Sequence, residues 1–228
     1  MARLERRNVK TRGQGLTRDF PRLLGGRLCL HFANTIEDPL SDAPQDFLHD
    51  YTDLVRWSWH AQALEERAMS QMDELAAADP DGARDVFERA LRLRAAVDGV
   101  FRGIARGEEP ARDDRRAIQD EHLEAVRVAS LVRTGDRFVW SWTSEPDLRR
   151  VLWPVVGSAV ELLTGGDLTR VRECPGVDDC GWLFYDTSRN RTRRWCSMEG
   201  CGSRSKMRRY HARSKHRPDE GVTGPATA

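Results

Sequence analysis

Four of the five cysteines of this chain lie in the last quarter of the sequence, in two close pairs. Cys174 and Cys180 form the first pair, Cys196 and Cys201 form the second, and fifteen residues separate the pairs. Structural zinc prefers four thiolates at tetrahedral positions, and a span of this length can form a hairpin and return. The spacing therefore predicts one structural Zn²⁺ held by these four side chains. The intervals exceed the common C-x2-C knuckle, so unrelated buried thiols are the alternative.

A closed set of four thiolates leaves no coordination position for water, so this pattern does not predict hydrolytic metal chemistry. The sequence also shows no nucleophile elbow, phosphate-binding loop or metal-hydrolase motif. We therefore predict no enzymatic activity. Cys29 stands alone in an apolar run and is predicted to be a small buried side chain.

Basic residues surround the predicted metal site. Residues 174–217 contain eleven basic and four acidic side chains, so about +5 remains after the −2 of a zinc tetrathiolate, a surplus that suits phosphate binding. The alternative is that the arginines shield the anionic site and solubilise a small module. The predicted contacts to double-stranded DNA are Arg189, Arg191, Arg193, Arg194, Arg204, Lys206, Arg208, Arg209, Arg213 and Lys215.

Charge is segregated along the whole chain, although the net charge is only +1. Residues 1–22 contain seven basic and two acidic side chains, and residues 187–217 contain eleven and one. The stretch 23–186 then has a net charge of about −12. Such segregation is typical of a protein whose ends bind a polyanion while its body does not.

The composition divides the chain into four parts. Residues 1–19 are predicted to be a flexible basic arm, which either enters a DNA minor groove or is only solvated. Residues 20–165 are predicted to form a helical body for sensing or dimerisation, 170–217 a zinc finger, and 218–228 a disordered tail.

Apolar spacing of three and four residues predicts a mainly α body. The predicted helices cover 51–64, 65–78, 82–106, 112–126 and 146–163. Residues 27–33 follow a Gly-Gly turn signal and are predicted to be a buried strand, and residues 131–142 a hairpin around Gly135 and Asp136. The fold class is therefore mainly α with a small antiparallel β-sheet.

A cysteine knuckle, a hairpin and a helix are expected in this order in the C-terminal region. This order predicts a zinc finger of the treble-clef type, a β-hairpin plus a helix. We expect strands over 182–186 and 193–195, joined by a polar turn. Ser203 is predicted to cap the following helix, with Met207 and Tyr210 packed on the hairpin.

Three polar residues, His31, Asn34 and Thr35, stand at the end of the predicted strand 27–33. Polar side chains that converge there predict a pocket for a small effector in the body. The alternative is a satisfied hydrogen-bond network in the core.

The sequence also resembles a known family. The stretches RRWCSM (193–198) and CGSR (201–204) closely resemble the CGNR zinc finger, with Ser203 where the family name has Asn. Residues 28–35 and the helical body after them look like the ABATE domain that usually accompanies this finger. The resemblance implies a bacterial, stress-responsive transcription regulator.

These observations together predict a zinc-dependent DNA-binding transcriptional regulator in which zinc is purely structural. Its expected partners are double-stranded DNA, a small effector and a second copy in a homodimer. The chain has no apolar run long enough for a membrane span and no signal peptide, which predicts a cytoplasmic protein without membrane contact. The alternative is an RNA- or protein-interaction adaptor that docks through the finger.

Overall fold

A computed structural model describes residues 20–142, 146–176 and 180–215, with side chains to residue 212. The predicted arm (1–19) and tail (218–228) lie outside the described residues. The helices are α1 (Leu28–Ala33), α2 (Tyr51–His60), α3 (Glu66–Ala78), α4 (Pro80–Arg106), α5 (Arg112–Arg127), α6 (Trp153–Gly165) and α7 (Ser203–Lys215).

The described strands form three separate antiparallel pairs rather than one sheet. These pairs are β1 (Ile36–Glu37) with β2 (Gln45–Asp46), β3 (Ser130–Thr134) with β4 (Arg137–Ser141), and β5 (Val171–Glu173) with β6 (Leu183–Tyr185). The predicted fold class, mainly α with small antiparallel strands and a C-terminal finger, is confirmed. The hairpin predicted around Gly135 is β3–β4.

Helix α4 forms the spine of the body. The Asp79 carboxylate accepts a hydrogen bond from Gly82 N–H at its start, and Gly107 ends it with a left-handed backbone at φ 75°. One face of the helix is buried against α1, α5 and β5. Each large apolar side chain on that face contributes about 1.5–3 kcal/mol through burial. The buried face includes Val86, Ala90, Leu93, Val97, Val100 and Phe101.

Helix α6 is central, as its apolar sequence predicts. Val155, Val156 and Ala159 are fully buried, and the helix packs against α1 and α5. It begins later than predicted because Leu148–Val151 forms a 3₁₀ turn, started by the Asp147 carboxylate, which accepts from Arg149 N–H.

Residues 27–33 form a helix, not the predicted strand, since α1 spans Leu28–Ala33. Apolar residues in a short run are buried on every face, so periodicity alone does not separate helix from strand. The run contains no β-branched residue that would favour a strand. Gly25 lies so close to α1 that a Cβ on it would be 2.9 Å from Leu30 and His31 backbone atoms.

Candidate metal centre and its basic surroundings

The four cysteines of the two sequence pairs come together as one cluster. The four Sγ atoms all lie within 4.8 Å of one another, and all four cysteines are buried. The Cys180–Cys196 and Cys196–Cys201 sulfur pairs are each 3.7 Å apart. A zinc tetrahedron with bonds of about 2.3 Å has edges of about 3.8 Å, so the sulfur positions fit one zinc ion.

The β5–β6 hairpin places the first cysteine pair. Cys174 directly follows β5, and its N–H donates to Trp182 O at 2.8 Å, which continues the strand pairing into the loop. The chain passes itself closely there, because a Cβ on Gly176 would lie 2.3 Å from the Cys180 Cβ. Glycine at 176 therefore allows Cys174 and Cys180 to face one site.

A tight turn before α7 places the second pair. Cys196 N–H points at the Cys174 sulfur at 3.4 Å, and Cys201 lies in the π-helical turn Met198–Gly202. Ser197 is the residue that starts this turn, because its Oγ accepts from Gly200 N–H. The predicted cap, Ser203, instead donates from Oγ to Met198 O at 3.0 Å.

The predicted return strand at 193–195 is wrong, since β6 pairs with β5 and not with this segment. Arg193 explains the irregular path. Its N–H donates to Asp186 Oδ2, its guanidinium donates to the carbonyls of Leu24 and Trp195, and its Cζ lies 4.5 Å from the centre of the Phe184 ring. Arg193 thus holds the loop by side-chain contacts instead of strand pairing.

The thiols are too crowded to ionise together without a cation. Hydrogen bonds from Cys180 and Cys196 lower the pKa of Cys174, while the hydrogen bond to Cys174 is the main reason that the pKa of Cys180 is raised to about 12. Four buried thiolates need a compensating charge, and a dication with four soft ligands supplies it. Arg204 adds one outer contact, donating to the Cys201 sulfur at 3.4 Å, and this hydrogen bond raises the pKa of Arg204.

Two known families match the chain, and together they span most of it. Residues 26–166 match the ABATE family, described as "Putative stress-induced transcription regulator", and residues 170–214 match the CGNR zinc finger. The chain belongs to the ABATE family. The predicted architecture and the single zinc ion are confirmed, and neither family is one of enzymes. A search of the curated proteins found no match.

The finger of this ABATE protein is joined to its body by side-chain and backbone hydrogen bonds. Asn34 donates from Nδ2 to Leu183 O at 2.8 Å and accepts at Oδ1 from Leu183 N–H at 2.9 Å. Trp182 Nε1 donates to Ile36 O, and Tyr185 N–H donates to Gly25 O, both at 2.8 Å. Strand β6 is therefore built into the body.

An ion-pair cluster reinforces this junction. The Arg102 guanidinium, 11% exposed, contacts Asp98, Glu173 and the Gly181 carbonyl. Arg106 also contacts Glu173, at 2.7 Å, and hydrogen bonding to Arg106 together with the charge of Arg102 holds the pKa of Glu173 below its usual value. Sequence reasoning missed this cluster; its signal is the pair of arginines one turn apart at the end of a helix.

The predicted effector residues have structural contacts. His31 Nδ1 accepts from Gly25 N–H at 3.0 Å, and burial, with the nearby His60, lowers the pKa of His31 to about 4. Thr35 Oγ1 donates to Phe32 O and accepts from Arg94. A cavity of about 240 Å³ beside the cysteines and one of about 680 Å³ between α3 and α4 do not involve His31, Asn34 or Thr35. The effector pocket at these residues stays a prediction.

The basic residues of the finger fall into three groups. Arg191 pairs with Asp167 at 3.0 Å. Arg193 donates to the Leu24 and Trp195 carbonyls, and Arg204 donates to the Cys201 sulfur. Arg213 and Lys215 lie on α7, but their side chains are outside the described residues. The third group comprises the other predicted DNA contacts, whose side chains are all exposed: Arg189, Arg194, Lys206, Arg208 and Arg209.

Two side chains of α7 are placed differently from the prediction. Met207 and Tyr210 are 56% and 66% exposed, so the prediction that they pack on the hairpin is wrong. The turn that contains Cys201 directly precedes the helix, and most of the described side chains of the helix are exposed. No helix of the described ranges is both long and apolar enough to cross a membrane.

Proposed function

We propose that this protein is a DNA-binding transcription regulator in which one structural zinc ion fixes the finger and exposed basic residues contact duplex DNA. The observation that carries the proposal is the position of Lys206 and Arg209. Both are exposed on α7, which begins two residues after Cys201 of the metal cluster. A helix held at one end by a rigid site can present its charges to phosphates at a fixed angle.

Zinc would supply folding free energy to this finger and no chemical step. The cysteines hold the turn at Met198–Gly202, and that turn sets the direction of α7. Arg194 and Arg189 lie exposed on the preceding loop and would extend the basic surface. The acidic body would be repelled by the duplex, which favours approach through the finger. We place this activity in the cytoplasm, where thiols remain reduced.

Salt dependence of duplex binding tests the proposal. The zinc-loaded full-length protein is compared with the double variant Lys206→Gln, Arg209→Gln by fluorescence anisotropy at several salt concentrations. Each phosphate that the variant no longer neutralises should lower the slope of log K against log salt by about 0.9. The double variant should therefore show a slope smaller by about 1.8 and weaker binding.

A control comes from the body. Arg116 is on α5 of the body, 69% exposed and next to Asp120, so Arg116→Gln removes one surface charge outside the finger. Its salt slope and affinity should equal those of the unmodified protein. An equal decrease in affinity in the control and in the double variant would contradict a specific DNA surface on α7.

An adaptor function is the second candidate. Met198, Met207 and Tyr210 are all more than half exposed beside the basic surface. Apolar and aromatic side chains next to cations suit stacking on unpaired bases or docking on a protein. Competition between a single-stranded RNA and a duplex DNA for the protein separates the two. Preferred binding of the single strand, abolished in Tyr210→Ala, would favour the adaptor.

A further inference from the structure

The β3–β4 hairpin is an exposed apolar element whose role the finger does not explain. Leu131, Phe138 and Trp140 are 58%, 66% and 49% exposed. Leu131 pairs with Trp140 and Arg133 pairs with Phe138, so these side chains share one face of the hairpin. Apolar clusters of this kind on a protein surface mark contact sites.

Neither edge of this hairpin is covered within the described residues. β3 and β4 form a two-stranded sheet, and no other described helix or strand packs along it. Its base is fastened to the body, where Trp142 Nε1 donates to Ala125 O at 2.9 Å and the Trp142 ring lies against Trp153. An isolated two-stranded hairpin is marginally stable in water. Pairing with a further strand would therefore stabilise this hairpin.

The turn fixes which backbone groups point outward. Gly135, with φ 66°, and Asp136 form a two-residue loop, so the flanking Thr134 and Arg137 form a hydrogen-bonded pair. Pairs alternate along antiparallel strands, which turns the N–H and C=O groups of Phe138 and Trp140 away from β3. The outer edge of β4 therefore offers two donors and two acceptors.

We propose that β4 pairs with β4 of a second copy of this chain, antiparallel and centred on Val139. In this register Phe138 of one copy lies opposite Trp140 of the other, and each such pair exchanges two hydrogen bonds. The result is a four-stranded sheet with one continuous aromatic face. The proposal is independent of DNA binding.

The edge is self-complementary, which favours a second copy over another partner. The register places Arg137 opposite Ser141, so no like charges meet across the two-fold axis. The same pairing through β3, centred on Val132, would place Leu131 against Arg133 and leave Phe138 and Trp140 at the outside. The apolar side chains therefore favour the β4 edge.

Engineered disulfides test this register on the zinc-loaded full-length protein without DNA. At the axis the two Val139 residues form a pair without mutual hydrogen bonds, with Cα atoms about 4.5 Å apart. That distance suits a disulfide. Val132 is the matched control, since it lies on the same face of the hairpin but three strand spacings from its copy, about 14 Å.

Val139→Cys should be converted largely to a crosslinked dimer under mild oxidation, and Val132→Cys should remain uncrosslinked on a non-reducing gel. The unmodified protein should sediment with twice its mass of 26.0 kDa. Trp140→Lys should shift the sedimenting species to the monomer. A monomeric unmodified protein, or crosslinking of Val132→Cys equal to that of Val139→Cys, would overturn the proposal.

Discussion

At the scale of single residues, Asn34 has the most consequential contacts outside the cysteine cluster. Its amide satisfies both the N–H and the C=O of Leu183, and both residues are buried. The side chain belongs to the body and its partner to the finger strand β6. The Asn34 side chain thereby makes the two hydrogen bonds to Leu183 that a neighbouring strand would otherwise make.

We expect Asn34→Ala to lower the free energy of unfolding by about 2–4 kcal/mol, because both buried backbone groups of Leu183 lose their partner. Chemical denaturation followed by circular dichroism measures the change. Asn190 is exposed on a loop, so Asn190→Ala serves as the control and should change stability by less than about 0.5 kcal/mol. Equal stability of the two variants would show that the Asn34 hydrogen bonds do not contribute to the free energy of unfolding.

The lowered pKa of His31 predicts that the folded protein becomes less stable as the pH falls. Burial lowers the pKa of His31 to about 4 from its usual 6.5, so the unfolded chain binds the proton first as pH falls. The stability from neutral His31 is full above pH 6.5 and is lost as pH decreases toward 4. His31→Gln, whose side chain can still accept from Gly25, should lose less stability between pH 7 and pH 5.

Thermal unfolding of both proteins at several pH values provides the comparison. Cysteine protonation affects both alike, so the difference between the curves reports His31. Parallel curves would contradict a half-buried His31 ring that stays neutral.

The cysteine cluster was predictable from the sequence, because a zinc site requires cysteines and places them in pairs at short intervals along the chain. The sequence did not reveal the separate roles of the arginines. Arg193 and Lys206 carry the same charge in sequence, yet Arg193 holds three carbonyls while Lys206 faces solvent. Charge is legible in a sequence, but the partner of a charge depends on the fold.

At the scale of elements, the β5–β6 hairpin serves the finger and the body together. Its loop holds the first cysteine pair, while Val171, Leu183 and Tyr185 pack into the core of the body. The body and the finger therefore meet at this hairpin. Zinc binding and body stability should be coupled.

Zinc removal tests this coupling. Chelation, or Cys196→Ser, should destabilise the body as well as the finger. We expect faster hydrogen exchange in peptides of α4 and α6 and a fall in the unfolding midpoint of at least about 4 °C, which corresponds to roughly 1–2 kcal/mol. Added zinc should restore the chelated protein but not the variant. Unchanged exchange in α4 would show that the two parts fold independently.

The ion pairs of α4 with β5 provide a second element-scale prediction. Glu173→Gln leaves Arg102, which is 11% exposed, with one charged partner fewer. The substitution should lower the free energy of unfolding by about 1–3 kcal/mol. Glu199 is the matched control, since its pair with Arg22 is exposed on both sides. Glu199→Gln should cost less than about 0.5 kcal/mol in the same urea titration. Equal losses of stability in the two variants would contradict a stabilising ion-pair cluster between α4 and β5.

Long helices were predictable from sequence because many apolar positions repeat along them. Short elements were not, since tertiary contacts decide them. Residues 28–33 form a helix with four of its six residues buried in the core. Strand β5 pairs with β6, and the hydrogen bond from Cys174 N–H to Trp182 O continues this pairing. Neither contact leaves a local sequence signal.

At the scale of the whole molecule, the basic finger and the acidic body remain distinct in charge although they share a hairpin. About −12 is concentrated in residues 23–186 and a strong positive surplus in residues 187–217. This polarity was predictable from the sequence. The hydrogen-bonded connection between the two parts was not predictable, because it depends on contacts of Asn34, Arg102 and Trp182 with residues far along the chain.

The most direct test of the central claim, regulation through a zinc-fixed DNA surface, is genomic selection. Sheared genomic duplex DNA is passed over the zinc-loaded protein at near-physiological salt, and the retained fragments are sequenced, with the double variant Lys206→Gln, Arg209→Gln processed in parallel. We expect a small set of fragments that share one motif and are not retained by the variant. Uniform retention, or none, would contradict a sequence-specific regulator.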